Sequence, residues 1–384
     1  MMETQSKSND GGRVGRGVDV AGLERRLAAM WRETAAEGGA GKSGVTRVCV
    51  ANLIVYAPSA GGRAGLDELL EEVASQTPSR VILLQVDRGG ESGLDAHVAA
   101  RCRPALKGRR QLCGEQITIE AGGALIESVA SAVEPLLVPD IAAFLWWKDI
   151  PNQEDKLFSR LVEMVDRVVI DSAAFDRPRD DLERVARLVE SRGEEMCLSD
   201  LNWGRLTSWR GIVANFWDVP EYRRHLDAIE GVEIEYEPST AAPAGVAAQA
   251  LLAAGWLASR LGWQPSGELV EDGNTLRVGL SSGGREIELV LRASGGAGGG
   301  AISRVVFRGG ASEFRAGWGA GGATLETSAK IGDELHVGRV VAYEAKSEGR
   351  RLSRELGILA RDEVYEQAVA CAARLIAPAA AGGG

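Results

Sequence analysis

Histidine and aromatic side chains are scarce in this chain, cysteine is sparse and unclustered, and positive charge is in deficit. Three His, at 97, 225 and 336, stand apart from one another and from the five Cys at 49, 102, 113, 197 and 371. No C-x-x-C and no His/Cys group has the spacing a transition metal needs, so neither a metal nor any other cofactor is expected. An odd, scattered cysteine set argues against a secreted disulfide framework and fits a reducing, cytoplasmic setting. Lys and Arg number 44 against 54 Asp and Glu, giving a net charge of −10, which disfavours nucleic acid or an anionic membrane as partner. The first 22 residues lack the apolar segment of a secretory leader. The uncharged stretch 238–259 is mostly Ala and Gly, too weakly apolar for a membrane span, and reads as a loop followed by a buried helix.

Catalytic signatures are equally thin. There is no G-x-S-x-G elbow and no H-E-x-x-H pair. Residues 36–43 (AEGGAGKS) satisfy a relaxed phosphate-loop pattern, and Gly39, Gly41 and Gly44 match G-x-G-x-x-G. Phosphate binding needs a strand before such glycines and a helix after them, and here the order reads reversed. Gly317, Gly319 and Gly322 repeat the spacing but lead into a strand, which makes them a turn.

Apolar periodicity supplies the organisation of the chain. Residues 18–34 have a helical rhythm, 46–56 (TRVCVANLIVY) and 80–86 (RVILLQV) read as buried strands, and 66–75 reads as a helix between them. Strands at 94–102 and 112–119 flank a basic turn; a helix over 125–137, a strand over 141–147, a helix over 156–165 and a strand over 168–171 follow. Helices are expected at 181–191, 203–217, 222–229, 246–261 and 354–375, with a short strand at 232–236 and alternating strands with Gly-rich turns from 268 to 345. Residues 294–300 (SGGAGGG) read as a hairpin loop. The fold class is therefore α/β: an N-terminal tail and helix over 1–44, a layered α/β domain with a mixed sheet over 45–175, and over 176–384 an α+β domain with a largely antiparallel sheet and a Trp-rich helical segment.

Two features invite a functional reading. Arg101, Arg103, Lys107, Arg109 and Arg110 crowd the turn between the 94–102 and 112–119 strands, either as a solvated loop or as a docking patch for a phosphate or an acidic surface. If those strands pair as a hairpin, Cys102 and Cys113 sit opposite each other as a redox pair, the alternative being two small residues that never meet. Tryptophan is the other feature: nine of the twenty aromatic residues are Trp. Trp146 and Trp147 end a predicted strand, while Trp203, Trp209 and Trp217 share the segment 199–218 (SDLNWGRLTSWRGIVANFWD) with Arg205 and Arg210. Trp and Arg bury large area and keep a polar handle, so this segment reads either as a partner surface or as core between domains.

The succession RVCVANLIV (47–55), PSRVILL (78–84), CGEQITI (113–119), PLLVPDIAAFLWW (135–147), VVIDSA (168–173) and DLNWGRLTSWR (200–210) resembles the glucose-6-phosphate dehydrogenase assembly protein OpcA family, in order over residues 20–235. The resemblance implies a non-catalytic assembly factor or allosteric activator whose partner is glucose-6-phosphate dehydrogenase, in the oxidative pentose phosphate pathway. Trp203, Arg205, Trp209, Arg210, Trp146 and Trp147 are the candidate partner-binding residues, on their Trp and Arg chemistry rather than on the resemblance. An unrecognised sugar-phosphate-binding enzyme is the alternative from another class, and a purely structural scaffold is a third.

Overall fold

Strand and helix alternate along the first third of the chain because β-branched runs such as Asn52–Pro58 and Arg80–Asp87 are buried almost throughout, while the helix between them buries one stripe. A computed structural model of the protein describes residues 18–37, 45–58, 65–102, 111–242, 245–295 and 298–377. The chain divides into two compact units, Met1–Leu145 with Ser159–Met164, and Trp146–Phe158 with Val165–Gly384.

In the first unit, helix α1 (Val20–Glu37) precedes β1 (Val45–Arg47), β2 (Asn52–Pro58), α2 (Leu66–Gln76), β3 (Arg80–Asp87), β4 (Gly93–Cys102), β5 (Gln111–Gly122) and α3 (Val129–Val133). Strands β1, β5, β3 and β2 run parallel in that order, and β4 lies antiparallel along β5, so the sheet is mixed as expected. The run 46–56 is two strands rather than one. β1 pairs with β5 and β2 with β3, and the link between them bonds to both neighbours: Val48 N donates to Cys113 O and Val50 N to Pro78 O. The helix expected over 125–137 is only one α-turn, Val129–Val133, between 3₁₀ turns at Gly123–Ser128 and Glu134–Leu136. Helix α1 is anchored by buried Leu23 and Leu27 and by polar ties. The Arg80 guanidinium, 2.8 Å from both Glu115 and Glu24, also donates to Leu136 O, and Trp31 Nε1 donates to Glu115. Those acceptors compensate a cation with 6% of its side chain exposed.

The chain leaves the first unit within β6 (Ala143–Trp147) and passes through both in α4 (Lys156–Val162). The second unit then continues with β7 (Arg167–Ile170), α5 (Pro178–Arg192), β8 (Cys197–Asp200), α6 (Leu201–Arg205), α7 (Thr207–Trp217), α8 (Pro220–Leu226), β9 (Gly231–Tyr236) and α9 (Ala248–Leu261). Strands β10 (Gln264–Asp272), β11 (Thr275–Ser282), β12 (Arg285–Ala293), β13 (Ile302–Gly309), β14 (Ser312–Trp318), β15 (Thr324–Ile331) and β16 (Glu334–Ala342) follow, and α10 (Glu348–Glu355) and α11 (Glu363–Ile376) close it. β7 and β8 pair in parallel, β8 being too short to show any period in the sequence. The other eight strands form one sheet, ordered β10-β11-β12-β9-β13-β14-β15-β16 and antiparallel except where β9 meets β12.

Because β9 lies between β12 and β13, residues 294–300 do not join a hairpin but carry the chain across β9. The single helix expected over 354–375 is two, since Asp362 caps a fresh helix by accepting from Tyr365 N. The helix over 203–217 likewise breaks at Leu206, between α6 and α7. One face of the sheet is apolar, with Val232, Ile234, Leu276, Leu289 and Phe314 buried. The other carries cross-strand ion pairs, Glu233 receiving Arg292 at 2.7 Å and Arg308 at 3.0 Å. Among the described residues no helix is long and apolar enough to cross a membrane. The expected division at residue 175 falls after the end of the first unit at Met164.

Candidate functional site: an arginine-rich cleft

The Trp-rich segment is largely core. Trp146 and Trp147 are 0% and 1% exposed, and Trp203 and Trp209 are 4% and 3% exposed, so none of the four offers area to a partner. The physical reason is packing. Trp147 meets Phe158 edge-on at 4.9 Å, Trp209 meets Trp318 at 5.8 Å, and Trp217 packs on Phe307 and Phe314 of the sheet. These indoles pack within the second unit, in keeping with the core alternative for the segment.

Asp200 caps α6, its Oδ1 accepting from Asn202 N at 2.8 Å and Ser172 N at 3.0 Å. It is wholly buried, and that burial first, with the nearby Asp171 carboxylate second, pushes its carboxyl up to about 6. Arg205 grips Asp171 with both terminal nitrogens, at 2.6 and 2.8 Å. Burial works against the Arg205 charge, but Asp171 outweighs it and the guanidinium is held above its ordinary value. Beside the cap, Asn202 donates to Ser172 Oγ and accepts from Gln249 Nε2, both at 3.0 Å, and Gln249 Oε1 receives Ile302 N. The chain of polar groups links α6, α9 and β13 and satisfies each buried amide.

Above this floor lies a cleft of about 160 Å³. Trp203 forms one wall, with its Nε1 donating to Asp362 at 2.9 Å and the Arg210 guanidinium 3.6 Å over its ring. Arg351 and Arg354 of α10 and Lys346 line the rest. Burial, reinforced by Arg354 and opposed by Asp362, lowers Arg210 to about 10. Arg351 is lowered too, by burial and then by Arg205. Arg167, beneath, donates to Ser199 Oγ and Ala360 O, while its buried Nε and that of Arg210 find no acceptor. The sequence separates these cations by almost two hundred positions, so only Arg205 and Arg210 were flagged by motif; Arg167, Arg351 and Arg354 carry no local signal.

Of the basic cluster, only Arg101 is among the described residues. Arg101 lies in the first unit, bound to Gln116 and to Asp67, and Arg103, Lys107, Arg109 and Arg110 fall outside the described residues. The strand register places Cys102 directly opposite Cys113, and Cys113 is disulfide-bonded; Cys49, Cys197 and Cys371 are free. Gly39, Gly41 and Gly44 also lie outside the described residues. The order they lack, strand then glycines then helix, occurs from β2 to α2, where Gly62 and Gly65 follow Ala60 at fingerprint spacing. Asp67 and Glu68 fill the first turn of α2 and oppose a phosphate at that terminus.

A two-unit α/β protein with a mixed sheet in the first unit, a largely antiparallel sheet in the second, and an arginine-rich cleft in the latter is the class that emerges. Its family is given by two matching family models, described as glucose-6-phosphate dehydrogenase subunit N-terminal domain over residues 70–187 and C-terminal domain over residues 196–369. The chain belongs to the OpcA family. A putative OxPP cycle protein OpcA from Nostoc punctiforme is 38% identical over 216 residues, 56% of this chain and 44% of that protein. One from Synechocystis is 32% identical over 212 residues, 55% and 42% of the two chains. This chain thus spans less than half the length of these relatives. Among solved structures, a 3-ketoreductase from Actinomadura kijaniata is 10% identical with a TM-score of 0.45, covering 85% of this chain and 96% of that one. A likeness that loose carries no inference about chemistry.

Proposed function

We propose that the chain is a non-catalytic assembly factor or activator of glucose-6-phosphate dehydrogenase, acting in the cytoplasm. The two family models, which between them run from residue 70 to residue 369 and are described by that dehydrogenase, carry this reading. The burial of the Trp cluster shifts the emphasis from Trp203 and Trp209 as contacts to Trp203 and Arg205 as the frame that holds the Arg210 side of the second unit in place. Cys102 and Cys113 are the redox-responsive element of the proposal, since a bond across β4 and β5 would fix the basic turn between them.

The test is co-purification with the cognate dehydrogenase, followed by dehydrogenase assays with and without this chain, in oxidised and dithiothreitol-treated samples. Activation that follows a stoichiometric complex supports the reading. Absence of a complex under both conditions removes it, and a complex without any kinetic change leaves a scaffold instead.

A further inference from the structure

The second-unit cleft contains more positive charge than its own carboxylates neutralise. Of its lining cations, Arg205 is committed to Asp171 and Arg167 to Ser199 and Ala360. Of its four carboxylates, Glu344 faces Arg350 at 3.4 Å, outside the cleft, Asp200 is taken up as the α6 cap, and Glu355 on α10 stands against the remaining cations Arg210, Lys346, Arg351 and Arg354. Asp362 is engaged by Trp203 Nε1 and Tyr365 N. Among the described residues, Arg210, Arg351 and Arg354 form no ion pair with a carboxylate; Arg210 rests on an indole face instead.

Two guanidinium Nε groups at the cleft, on Arg167 and Arg210, are buried without an acceptor, and Arg167 is 1% exposed. A buried donor left unmade is costly, and an anion supplies the missing acceptors. The crowding is local: the chain as a whole is acidic at −10, so general basicity does not account for it. Guanidinium groups match tetrahedral oxyanions better than ammonium groups do, because their planar forks donate in pairs.

We propose that this cleft binds a small phosphorylated metabolite, its phosphate held by Arg210, Arg351 and Arg354. A volume of about 160 Å³ accommodates roughly ten water-sized groups, which suits a phosphate on a short polar body and is too small for a dinucleotide. Tyr343 lines the cleft beside that body, while the Trp203 ring is covered by Arg210. Binding here is independent of whether the chain serves the dehydrogenase.

Isothermal titration of the intact chain with inorganic phosphate, with glycerol 3-phosphate and with uncharged glycerol, all at one fixed ionic strength, tests the assignment. Saturable one-site binding of both phosphates and none of glycerol is expected. Arg354→Gln, at an exposed position, and the double variant Arg210→Gln/Arg354→Gln should weaken it by about tenfold or more, since a charge-assisted hydrogen bond contributes about 1.5–3 kcal/mol. Lys330→Gln, which removes the same charge from the far side of β15, should leave it unchanged. Circular dichroism confirms that each variant is folded, and Arg354→Gln alone suffices if the double variant is not. No saturable binding, equal weakening by Lys330→Gln, or unchanged affinity in folded Arg354→Gln would each overturn the site.

Discussion

Asp200 and Arg205 show how a few side chains set the properties of the cleft floor. Asp200 holds its proton more tightly when folded than when unfolded, its carboxyl being raised from 3.8 to about 6. The folded state therefore binds more protons than the unfolded one between those values, and the contribution of this group to stability falls as pH rises through about 4 to 6. A shift of about two units corresponds to about 3 kcal/mol. Asn at this position still caps α6 and cannot ionise, so Asp200→Asn should flatten the pH dependence of unfolding in that window; urea titrations of both proteins between pH 4.5 and 7.5 would show the difference, and parallel curves would refute it. Arg205 is the opposite case. Its ion pair with Asp171 is 24% and 17% exposed on the two sides, so solvent screens it only in part. Arg205→Ala leaves Asp171 facing Asp200 without its cation and should cost about 2–3 kcal/mol in denaturant unfolding.

At the scale of elements, helix contacts are as decisive as side-chain chemistry. Helix α9 lies against α11 so closely that a Cβ on Gly255 would stand 2.1 Å from Ala368 O and 2.6 Å from Ala372 N. Helix propensity favours Ala over Gly by about 1 kcal/mol, but both obstacles are backbone and neither can turn aside. Gly255→Ala should therefore destabilise by about 1–3 kcal/mol, read as a lowered melting midpoint, whereas a gain would mean the helices sit farther apart. The outermost strand β16 poses a different case, with Leu335, Val337 and Val340 at 60–82% exposure. Its exposed apolar side chains are ones that periodicity alone would have placed in a core.

For the whole molecule, the prediction concerns chemistry rather than stability. The cleft floor is occupied by committed pairs: Asp200 caps a helix, Asp171 holds Arg205, and Tyr365 is pushed well above its ordinary value by burial and then by Asp200. None is a free base or nucleophile poised at the cleft. Purified alone and supplied with glucose-6-phosphate and NADP, the chain should show no turnover above buffer. Activity that persists through further purification would restore the sugar-phosphate enzyme as the better reading.

Local pattern by itself determined the alternation of strand and helix, the mixed sheet of the first unit and the antiparallel character of the second, while leaving open whether Cys102 and Cys113 meet. Each depends on residues close in the chain, where a period of two or 3.6 states which face is buried. The motifs shared with the OpcA family were legible for the same reason, being contiguous words. Only the tertiary structure decided that β9 separates β12 from β13, that Trp146, Trp147, Trp203 and Trp209 face inward, and that Arg167, Arg210 and Arg354 meet around one cleft. Strand order and the convergence of distant cations follow from how amphipathic faces are satisfied by one another. An apolar stripe specifies that it must be covered, but not by which element.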